Sequence, residues 1–367
     1  MSLRLLVVSH PAVVAANQLR YVALLDRGVD VQLVVPHLWQ HELGDQPVPP
    51  EVHSRLDGRV HRARIARPGS IQRHVHLTPP GRWLRRFRPD AVLVEEEHFS
   101  VPAAQWVASA RLRRIPVAVQ AYENLDRPLP WPARVLRWYT LRGADGVHAG
   151  TPAAGDRARQ WGARGVVHLV PAPIDASRPP VPPARDGHPL TVGYAGRLIE
   201  SKGLLDLVAA VEAVEGARLL AIGRGELAAD LARHPAVELR DAVPHDDMPA
   251  VYAEMDVLVL PSRTTPTWAE QLGRVLLEAM VAGRPVIGSQ SGEIPWVLEV
   301  ARGGATFPEG DVAALAALLT GVRDDPDTWL QHAEQGRRDV LERFSPDASA
   351  TAFLALVDAM LSRRRAG

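Results

Sequence analysis

The chain has 367 residues, of which 46% are hydrophobic, with 42 basic and 42 acidic side chains and no cysteine. This length exceeds what one hydrophobic core normally supports, so we expect two domains. The lack of cysteine excludes disulfides and thiolate metal sites, and no apolar run approaches the ~20 residues of a membrane span, so we expect a cytoplasmic protein.

Charge is unevenly distributed along the chain. Residues 1–172 contain 23 arginines against 14 acidic residues, and ten of these arginines fall within residues 55–88. Four arginines at 82–88 surround Trp83, and arginine with tryptophan is typical of contacts with anionic membrane surfaces. We expect either a peripheral contact with the inner face of the cell membrane or a groove for an anionic ligand, and a solvated basic surface is the structural alternative. No nucleic-acid partner is expected.

Short apolar or β-branched runs alternate with helical patterns in the first half of the chain. They occupy residues 3–9, 29–35, 91–95, 116–121, 146–150 and 166–171. Such alternation is typical of βαβ units that form a parallel sheet. We therefore assign residues 1–172 to an N-terminal Rossmann-like domain.

The same alternation restarts in the second half. The runs there occupy residues 190–196, 217–223, 237–241, 256–261 and 285–289. We assign residues 190–345 to a second Rossmann-like domain and residues 173–189, rich in proline, to a linker. Residues 346–367 are expected to form a terminal helix that can pack back on the first domain. The predicted fold class is α/β, with two doubly wound parallel sheets.

Ligands of such folds bind beyond the carboxyl ends of the strands. After the first strand of the second domain, Gly196 permits a tight turn, and Arg197 and Lys202 bracket the start of a helix. Two cations beside a helix N-terminus suit a diphosphate, although such pairs also occur on solvated loops. Lys202 is the only lysine in the chain, among 42 basic residues.

A second candidate site lies within residues 261–298. Glu270 and Glu278 are eight positions apart, and Gly273 between them allows close backbone approach at the start of a helix. If both acids were helical they would lie on one face. Carboxylates in this position accept paired hydrogen bonds from the vicinal hydroxyls of a hexose or a ribose. A helix-terminal acid and a surface acid are the structural alternative.

These stretches, from "YAGRLIESKG" through "EQLGRVLLEAMVAGRPVIGSQSGEIP", resemble the retaining glycosyltransferases of family 4. The resemblance implies the GT-B fold, in which two Rossmann-like domains face a cleft. It implies an N-terminal acceptor domain and a C-terminal domain that binds a nucleoside diphosphate sugar, either a UDP- or a GDP-sugar. No cofactor or metal is expected.

The resemblance also assigns roles to residues of the second domain. Arg197 and Lys202 would bind the diphosphate, Glu270 the sugar hydroxyls and Glu278 the ribose hydroxyls. The remaining predicted donor contacts come from the backbone at Gly196, Gln271, Leu272, Gly273 and Val243.

The first domain departs from the family pattern. Family members often have two adjacent glycines after the first strand, whereas "SHPAVVAANQ" has none, and Glu95 or Glu96 stands where a histidine is common. We predict Glu95 and Glu96 as catalytic candidates, and expect one carboxylate of residues 95–97 to face water or to have a raised pKa. The predicted acceptor-side residues are Asn17, Gln18, His98, Glu123 and Asn124.

Three further motifs favour structural roles. The Gly-x-Gly-x-x-Ala pattern at 223–228 follows the second strand of its domain, so we interpret it as a turn. The Asp-Pro-Asp sequence at 325–327 is interpreted as a helix cap. The pair His74 and His76 has no evident third zinc ligand.

We therefore predict a hexosyltransferase-like enzyme of cell-envelope or exopolysaccharide synthesis, acting on a lipid-linked, saccharide or small-molecule acceptor. The alternatives are a GT-B nucleotide-sugar epimerase, which would need no acceptor, and a silent binding module, which would never turn the donor over. A nicotinamide dehydrogenase is a third alternative and would require NAD(P)H binding.

Overall fold

The computed structural model describes residues 2–40, 46–175, 177, 180 and 189–366. The chain divides into two compact units, one comprising Met1–Asp175 with Phe344–Gly367 and the other comprising Ala176–Arg343. Most of the predicted linker at 173–189 lies outside the described residues.

The first unit contains a seven-stranded parallel sheet and a two-stranded antiparallel pair. Its strands are β1 (Arg4–Ser9), β2 (Asp30–Pro36), β3 (Val60–Ala63), β4 (Ile65–Ala66), β5 (Val75–His76), β6 (Ala91–Glu97), β7 (Val117–Ala121), β8 (Gly146–Ala149) and β9 (Val166–Leu169). Its helices before the linker are α1 (Leu19–Asp26), α2 (Pro80–Phe87), α3 (Val101–Leu112), α4 (Trp131–Gly143) and α5 (Pro152–Gln160). The large sheet has the order β3-β2-β1-β6-β7-β8-β9, and β4 pairs with β5.

The central strands are apolar on both faces because helices cover both sides of a parallel sheet. Leu5, Val7, Val31 and Leu33 enter one hydrophobic cluster. Leu6, Val8 and Val34 enter another, which also contains residues of α2 and α3. The Ser100 side chain caps α3 by accepting a hydrogen bond from the backbone N–H of Ala103.

The second unit contains a six-stranded parallel sheet of order β12-β11-β10-β13-β14-β15. Its strands are β10 (Leu190–Ala195), β11 (Ala217–Ile222), β12 (Val237–Arg240), β13 (Val257–Leu260), β14 (Val286–Ser289) and β15 (Gly304–Phe307). Its helices are α6 (Leu204–Glu212), α7 (Ala228–Leu231), α8 (Met248–Ala253), α9 (Arg274–Val281), α10 (Ile294–Ala301), α11 (Val312–Asp324) and α12 (Pro326–Arg343).

The terminal helix α13 (Pro346–Ala366) belongs to the first unit, although it follows the second in sequence. Phe353, Leu356, Val357 and Met360 are fully buried in the first unit's hydrophobic cluster. The Nε of Arg20 on α1 donates a hydrogen bond to Ser349 Oγ at 2.7 Å, which ties the two helices together.

All eleven strands predicted from the sequence are present, whereas β3, β15 and the β4–β5 pair were not predicted. The β3 sequence, Val-His-Arg-Ala, is half polar because it lies at a sheet edge, and β15 begins at a glycine. The predicted cap is confirmed, since Asp325 accepts a hydrogen bond from the N–H of Thr328 at 3.2 Å. The turn at 223–228 packs on the loop after β10, where Leu198 N donates to Arg224 O.

In both large sheets the strand order reverses next to the first strand of the unit. The reversal falls between β1 and β6 in the first unit and between β10 and β13 in the second. Doubly wound folds bind ligands beyond the carboxyl ends of the strands at such switch points. The loops after these four strands are therefore the places to look for a site.

None of the helices in the described part of the chain combines the length and apolar character needed to cross a bilayer.

Candidate functional site

The second unit brings Lys202 and Glu270 together at its switch point. The Nζ of Lys202 lies 2.6 Å from Oε2 of Glu270, and both side chains are nearly buried, with exposures of 12% and 11%. Ser262 Oγ donates to the same carboxylate oxygen at 2.8 Å, and the ammonium lies 4.6 Å from the centre of the Trp268 ring. The sequence did not indicate this direct pairing, nor the contacts of Ser262 and Trp268.

Backbone contacts between two loops hold this pair in place. Lys202 ends a short 3-10 helix after β10, and Gly203 follows with φ of 65°. A Cβ at Gly203 would lie 2.0 Å from the carbonyl oxygen of Pro261, directly after β13, so only glycine fits. Arg263 N donates to Ser201 O at 2.8 Å across the same two loops.

The N-terminus of α9 follows Glu270 after three residues. Gly273 has φ of 67° and precedes the first helical residue, while Leu272 is buried and Gln271 is exposed. The first amides of a helix lack intrahelical partners and attract anions. Arg197 lies in the loop after β10, and its carbonyl accepts a hydrogen bond from Tyr194 Oη at 2.7 Å.

Glu278 and Glu270 do not share a helix face, because Glu270 precedes α9 and is not helical. Glu278 accepts hydrogen bonds from Arg274 Nε at 2.9 Å and from Tyr252 Oη at 3.2 Å. Burial and the Glu278 charge raise the pKa of Tyr252, so its hydroxyl stays protonated and can donate. Val243, predicted near the base, is half-buried in the loop after β12.

Glu95, a predicted catalytic candidate, lies in an interior hydrogen-bond network. Its side chain is buried and lies 2.7 Å from Arg20 Nη1. It also accepts hydrogen bonds from Ser9 Oγ at 2.9 Å and from Tyr21 Oη. A carboxylate with three interior partners is already satisfied and holds α1 on the sheet.

Glu96 is also buried, but it is bonded to a residue that sequence reasoning missed, His10. Glu96 accepts from the His10 backbone N–H at 3.0 Å and lies 2.6 Å from its Nδ1. Burial alone would raise the pKa of Glu96, but the charge and hydrogen bond of His10, with the nearby His74 and His76, hold it below its ordinary value. Of the three adjacent carboxylates, Glu97 has the greatest side-chain exposure, at 14%.

His10 is the exposed member of this pair. Its side chain retains 13% exposure and its ring lies 4.9 Å from that of Trp39. Nδ1 faces the Glu96 carboxylate, so Nε2 is the ring nitrogen that Glu96 does not engage. His10 and Glu96 come from the two strand ends that flank the first unit's switch point. The sequence signal that could have identified His10 is its position as a polar side chain directly after the first strand.

The remaining acceptor-side predictions fall largely on interior residues. His98, another of these predictions, is fully buried, packs against Phe99 and Trp161, and lies 3.5 Å from Glu97. Gln18 is fully buried, its Nε2 donates to the carbonyl oxygens of Ala12 and Glu51, and its Oε1 accepts from the His53 N–H.

Three predicted acceptor-side residues remain near the strand ends. Asn17 is half-buried and donates to Pro11 O at 2.9 Å. Glu123 is buried and lies 2.7 Å from Arg127, and Asn124 beside it is half-buried.

The basic stretch at 82–88 does not expose its tryptophan. Trp83 and Leu84 are buried in the core at 7% and 2% exposure, and only the arginines face solvent. A membrane contact at this stretch therefore stays a prediction, and it would involve the arginines rather than the Trp83 ring. Among the described residues, no group of three or more His, Asp or Glu could hold a metal ion.

The two doubly wound parallel sheets define the class of protein. The chain superimposes on HepE from Anabaena, solved in complex with UDP, with a TM-score of 0.72 and 14% sequence identity, over 98% of this chain and all of that one. This likeness establishes the GT-B fold of glycosyltransferases.

Family models cover most of both units. Residues 189–325 match the glycosyl transferases group 1 model, and residues 12–173 match the glycosyl transferase 4-like domain. The chain belongs to the group 1 glycosyltransferases of the family 4 type, and it is an enzyme of the transferase class.

Curated relatives agree with this assignment. A 2-deoxystreptamine glucosyltransferase from Streptomyces kanamyceticus is 27% identical over 86% of this chain and 88% of its own length. The lipopolysaccharide core biosynthesis glycosyltransferase LpsD from Rhizobium meliloti is 28% identical over 77% of this chain and 82% of its own length.

Proposed function

We propose that the chain transfers a sugar from a nucleoside diphosphate sugar to an acceptor hydroxyl with retention of the anomeric configuration. The observation that carries the proposal is the Lys202–Glu270 contact of 2.6 Å at the switch point of the second unit, beside the N-terminus of α9. A cation, a carboxylate and helix amides at one strand end match the charges and hydroxyls of such a donor. UDP in the HepE structure favours a UDP-sugar over a GDP-sugar.

Each residue of this site has a role in the proposal. Arg197 and Lys202 bind the diphosphate, Glu270 binds hydroxyls of the sugar, and Glu278 binds the ribose. Gly196 and the backbone of Gln271, Leu272 and Gly273 complete the donor contacts, and Val243 lies near the base. The second unit is thus the donor-binding domain and the first the acceptor-binding domain.

The proposed reaction needs charge stabilisation more than proton transfer. The acceptor oxygen forms a bond to the anomeric carbon on the face from which the diphosphate leaves, and the acceptor proton passes to the departing β-phosphate. Lys202, Arg197 and the α9 amides stabilise the negative charge that builds on the leaving group. In this proposal the protein's cations supply the stabilisation, and no cofactor takes part.

His10 is the proposed acceptor contact of the first unit. Its Nε2 would accept a hydrogen bond from an acceptor hydroxyl, while Glu96 fixes the ring orientation. The lipopolysaccharide and colanic acid enzymes among the relatives support a saccharide or lipid-linked acceptor in cell-envelope or exopolysaccharide synthesis. The aminoglycoside relative supports a small-molecule acceptor as the alternative.

A donor screen followed by product analysis tests the proposal. Thermal melting with UDP-, GDP- and ADP-sugars should show stabilisation by one nucleotide class, because a ligand that binds the folded state raises its melting temperature. NMR of the product formed with a panel of saccharide acceptors should then show the donor's anomeric configuration. An inverted product, or a donor that changes without any acceptor, would overturn the proposal in favour of an inverting enzyme or an epimerase.

A further inference from the structure

Helix α4 of the first unit exposes a stripe of large apolar side chains. Trp131, Val135 and Trp138 are 74%, 53% and 56% exposed. Together with Arg142 they occur at spacings of four, three and four residues, which places all four on one face of a helix. The two tryptophans lie about 10 Å apart along the helix axis at the usual rise per residue. Isolated surface tryptophans are common, but an aligned pair with a valine between them is not.

The stripe ends in a basic pocket. A pocket of about 340 Å³ lies at the C-terminal end of α4 and is lined by five arginines and one carboxylate: Arg111, Arg142, Arg164, Arg363, Arg364 and Asp145. Arg364 already pairs with Asp145 at 2.9 Å, so four arginines face the pocket without a carboxylate of their own in it.

Arg142 joins the stripe to the pocket. Its guanidinium lies 5.3 Å from the centre of the Trp138 ring while it also lines the pocket. Its Nε is buried and has no hydrogen-bond partner among the described residues. The guanidinium of Arg142 that lines the pocket can donate charge-assisted hydrogen bonds to an anion there.

We propose that this stripe and pocket form a docking site for the surface of an anionic phospholipid bilayer. A lipid phosphate would occupy the arginine pocket, and Trp131 and Trp138 would insert at the level of the headgroups, where amphipathic indole rings are stabilised. This inference does not depend on the proposed sugar transfer, since every residue in it lies in the first unit and none belongs to the proposed donor site.

Charge favours an anionic membrane over a second copy of the chain. Residues 128–144 contain arginines at 134, 137 and 142 and no acidic residue. Attraction to anionic lipid adds over such arginines, and tryptophan beside arginine is the composition of interfacial helices. A second copy of the same face would instead bring two basic pockets together, which like-charge repulsion opposes.

Vesicle co-sedimentation of the full chain tests this site. The vesicles contain phosphatidylcholine alone or phosphatidylcholine mixed with phosphatidylglycerol, and binding is expected only to the mixed vesicles and to weaken with salt. Trp131→Ala/Trp138→Ala should reduce binding roughly tenfold or more through lost apolar burial. Arg142→Gln/Arg164→Gln should reduce it roughly fivefold per arginine.

Matched controls separate this site from general charge and from misfolding. Arg233→Gln/Arg338→Gln removes two exposed arginines of the second unit and should bind as wild type. All variants should keep the wild-type melting temperature, because the changed tryptophans are mostly exposed. Equal losses in the control, unchanged binding by the tryptophan variant, or a tryptophan-dependent dimer without vesicle binding would each overturn the proposal. The proposal would also be overturned if inorganic phosphate saturated the pocket and vesicle binding stayed unchanged, because the pocket would then be a site for a free anion.

Discussion

At the scale of single residues, Lys202 is held closely by its neighbours. It contacts Glu270 at 2.6 Å and the Trp268 ring at 4.6 Å, while Gly203 directly after it allows no side chain. The guanidinium of arginine is broader and planar, whereas the ammonium of lysine is compact and can rotate its donors between two phosphates. The one lysine of the chain therefore occupies a place that suits its shape.

Lys202→Ala should slow turnover by roughly 10² to 10³, because it removes a cation that stabilises the leaving diphosphate. Lys202→Arg should restore nucleotide binding but only part of the rate. Steady-state turnover at saturating donor measures both effects, with Arg233→Ala as an exposed-cation control. Full wild-type turnover by the arginine variant would show that lysine is not required there.

Glu270 and Glu278 should differ in what they do. Glu278→Ala should weaken binding of the free nucleoside diphosphate, because Glu278 is assigned to the ribose. Glu270→Ala should lower turnover, because Glu270 is assigned to the sugar, and should not weaken nucleotide binding as Glu278→Ala does, because Lys202 remains. Calorimetric titration with the nucleotide, compared with turnover, separates the two roles. Equal loss of nucleotide affinity in both variants would contradict them.

At the scale of elements, the ends of β1 and β6 bring His10 and Glu96 together as a pair that neither strand provides alone. Glu96 on β6 orients His10 after β1, so the two substitutions should act on the same step. His10→Ala and Glu96→Gln should each raise the acceptor KM and lower kcat, with donor affinity unchanged. The double variant should be no worse than His10→Ala, since Glu96 acts through His10. Additive losses of free energy would contradict this coupling.

His76 on β5 should make the stability of the first unit fall at acid pH. Burial lowers the pKa of His76 to about 4, partly offset by Glu96, whereas an unfolded histidine titrates near 6.5. The unfolded chain therefore gains a proton as pH falls below ~6.5, and the folded chain does not until about 4. The stability that neutral His76 contributes is complete above ~6.5 and is lost as pH falls towards the folded pKa, by up to ~1.4 kcal/mol per pH unit.

His76→Phe should flatten this part of the pH dependence. The phenyl ring would keep the edge contact that His76 makes with Trp106. The substitution would remove the two buried nitrogens of His76, which have no hydrogen-bond partner among the described residues. Melting temperatures at pH 7 and pH 5 should therefore differ less than in the wild type. His332→Phe, at an exposed position of α12, is the control and should leave the difference unchanged.

At the scale of the whole molecule, the last helix completes the first unit. Phe353 is fully buried, with Arg20 of α1 5.1 Å above its ring and His148 of β8 at 5.8 Å. Phe353→Ala should cost roughly 3–5 kcal/mol and should lower the stability of the first unit, although residue 353 follows the entire second unit. Leu205→Ala, half-exposed in the second unit, should cost far less.

Limited proteolysis with fragment mapping identifies the unit that Phe353→Ala destabilises. Cleavage within residues 2–175 should accelerate while cleavage within residues 189–343 stays at the wild-type rate. Faster cleavage in the second unit alone would contradict the packing of α13.

The sequence by itself predicted eleven of the fifteen strands in the described part of the chain, the motif at 197–278 and the family, because these depend on local features. Continuous apolar runs such as residues 5–8 predict buried parallel strands, and the Arg197, Lys202, Glu270 and Glu278 spacing can be seen in the printed chain. The sequence does not predict burial in the same way for polar residues that lie in the core, because no apolar run marks them. Glu95, Glu96 and His98 look alike as polar side chains at one strand end.

Only the tertiary structure decided which of these side chains reaches solvent and which partner each one has. Glu96 meets His10 across 86 positions and Lys202 meets Glu270 across 68, in both cases because strand order places two distant strand ends side by side. The same holds for Trp83, which neighbouring helices bury, and for Trp131 and Trp138, which no described element covers. Partner and exposure depend on packing between segments far apart in the chain, and local spacing carries no information about that packing.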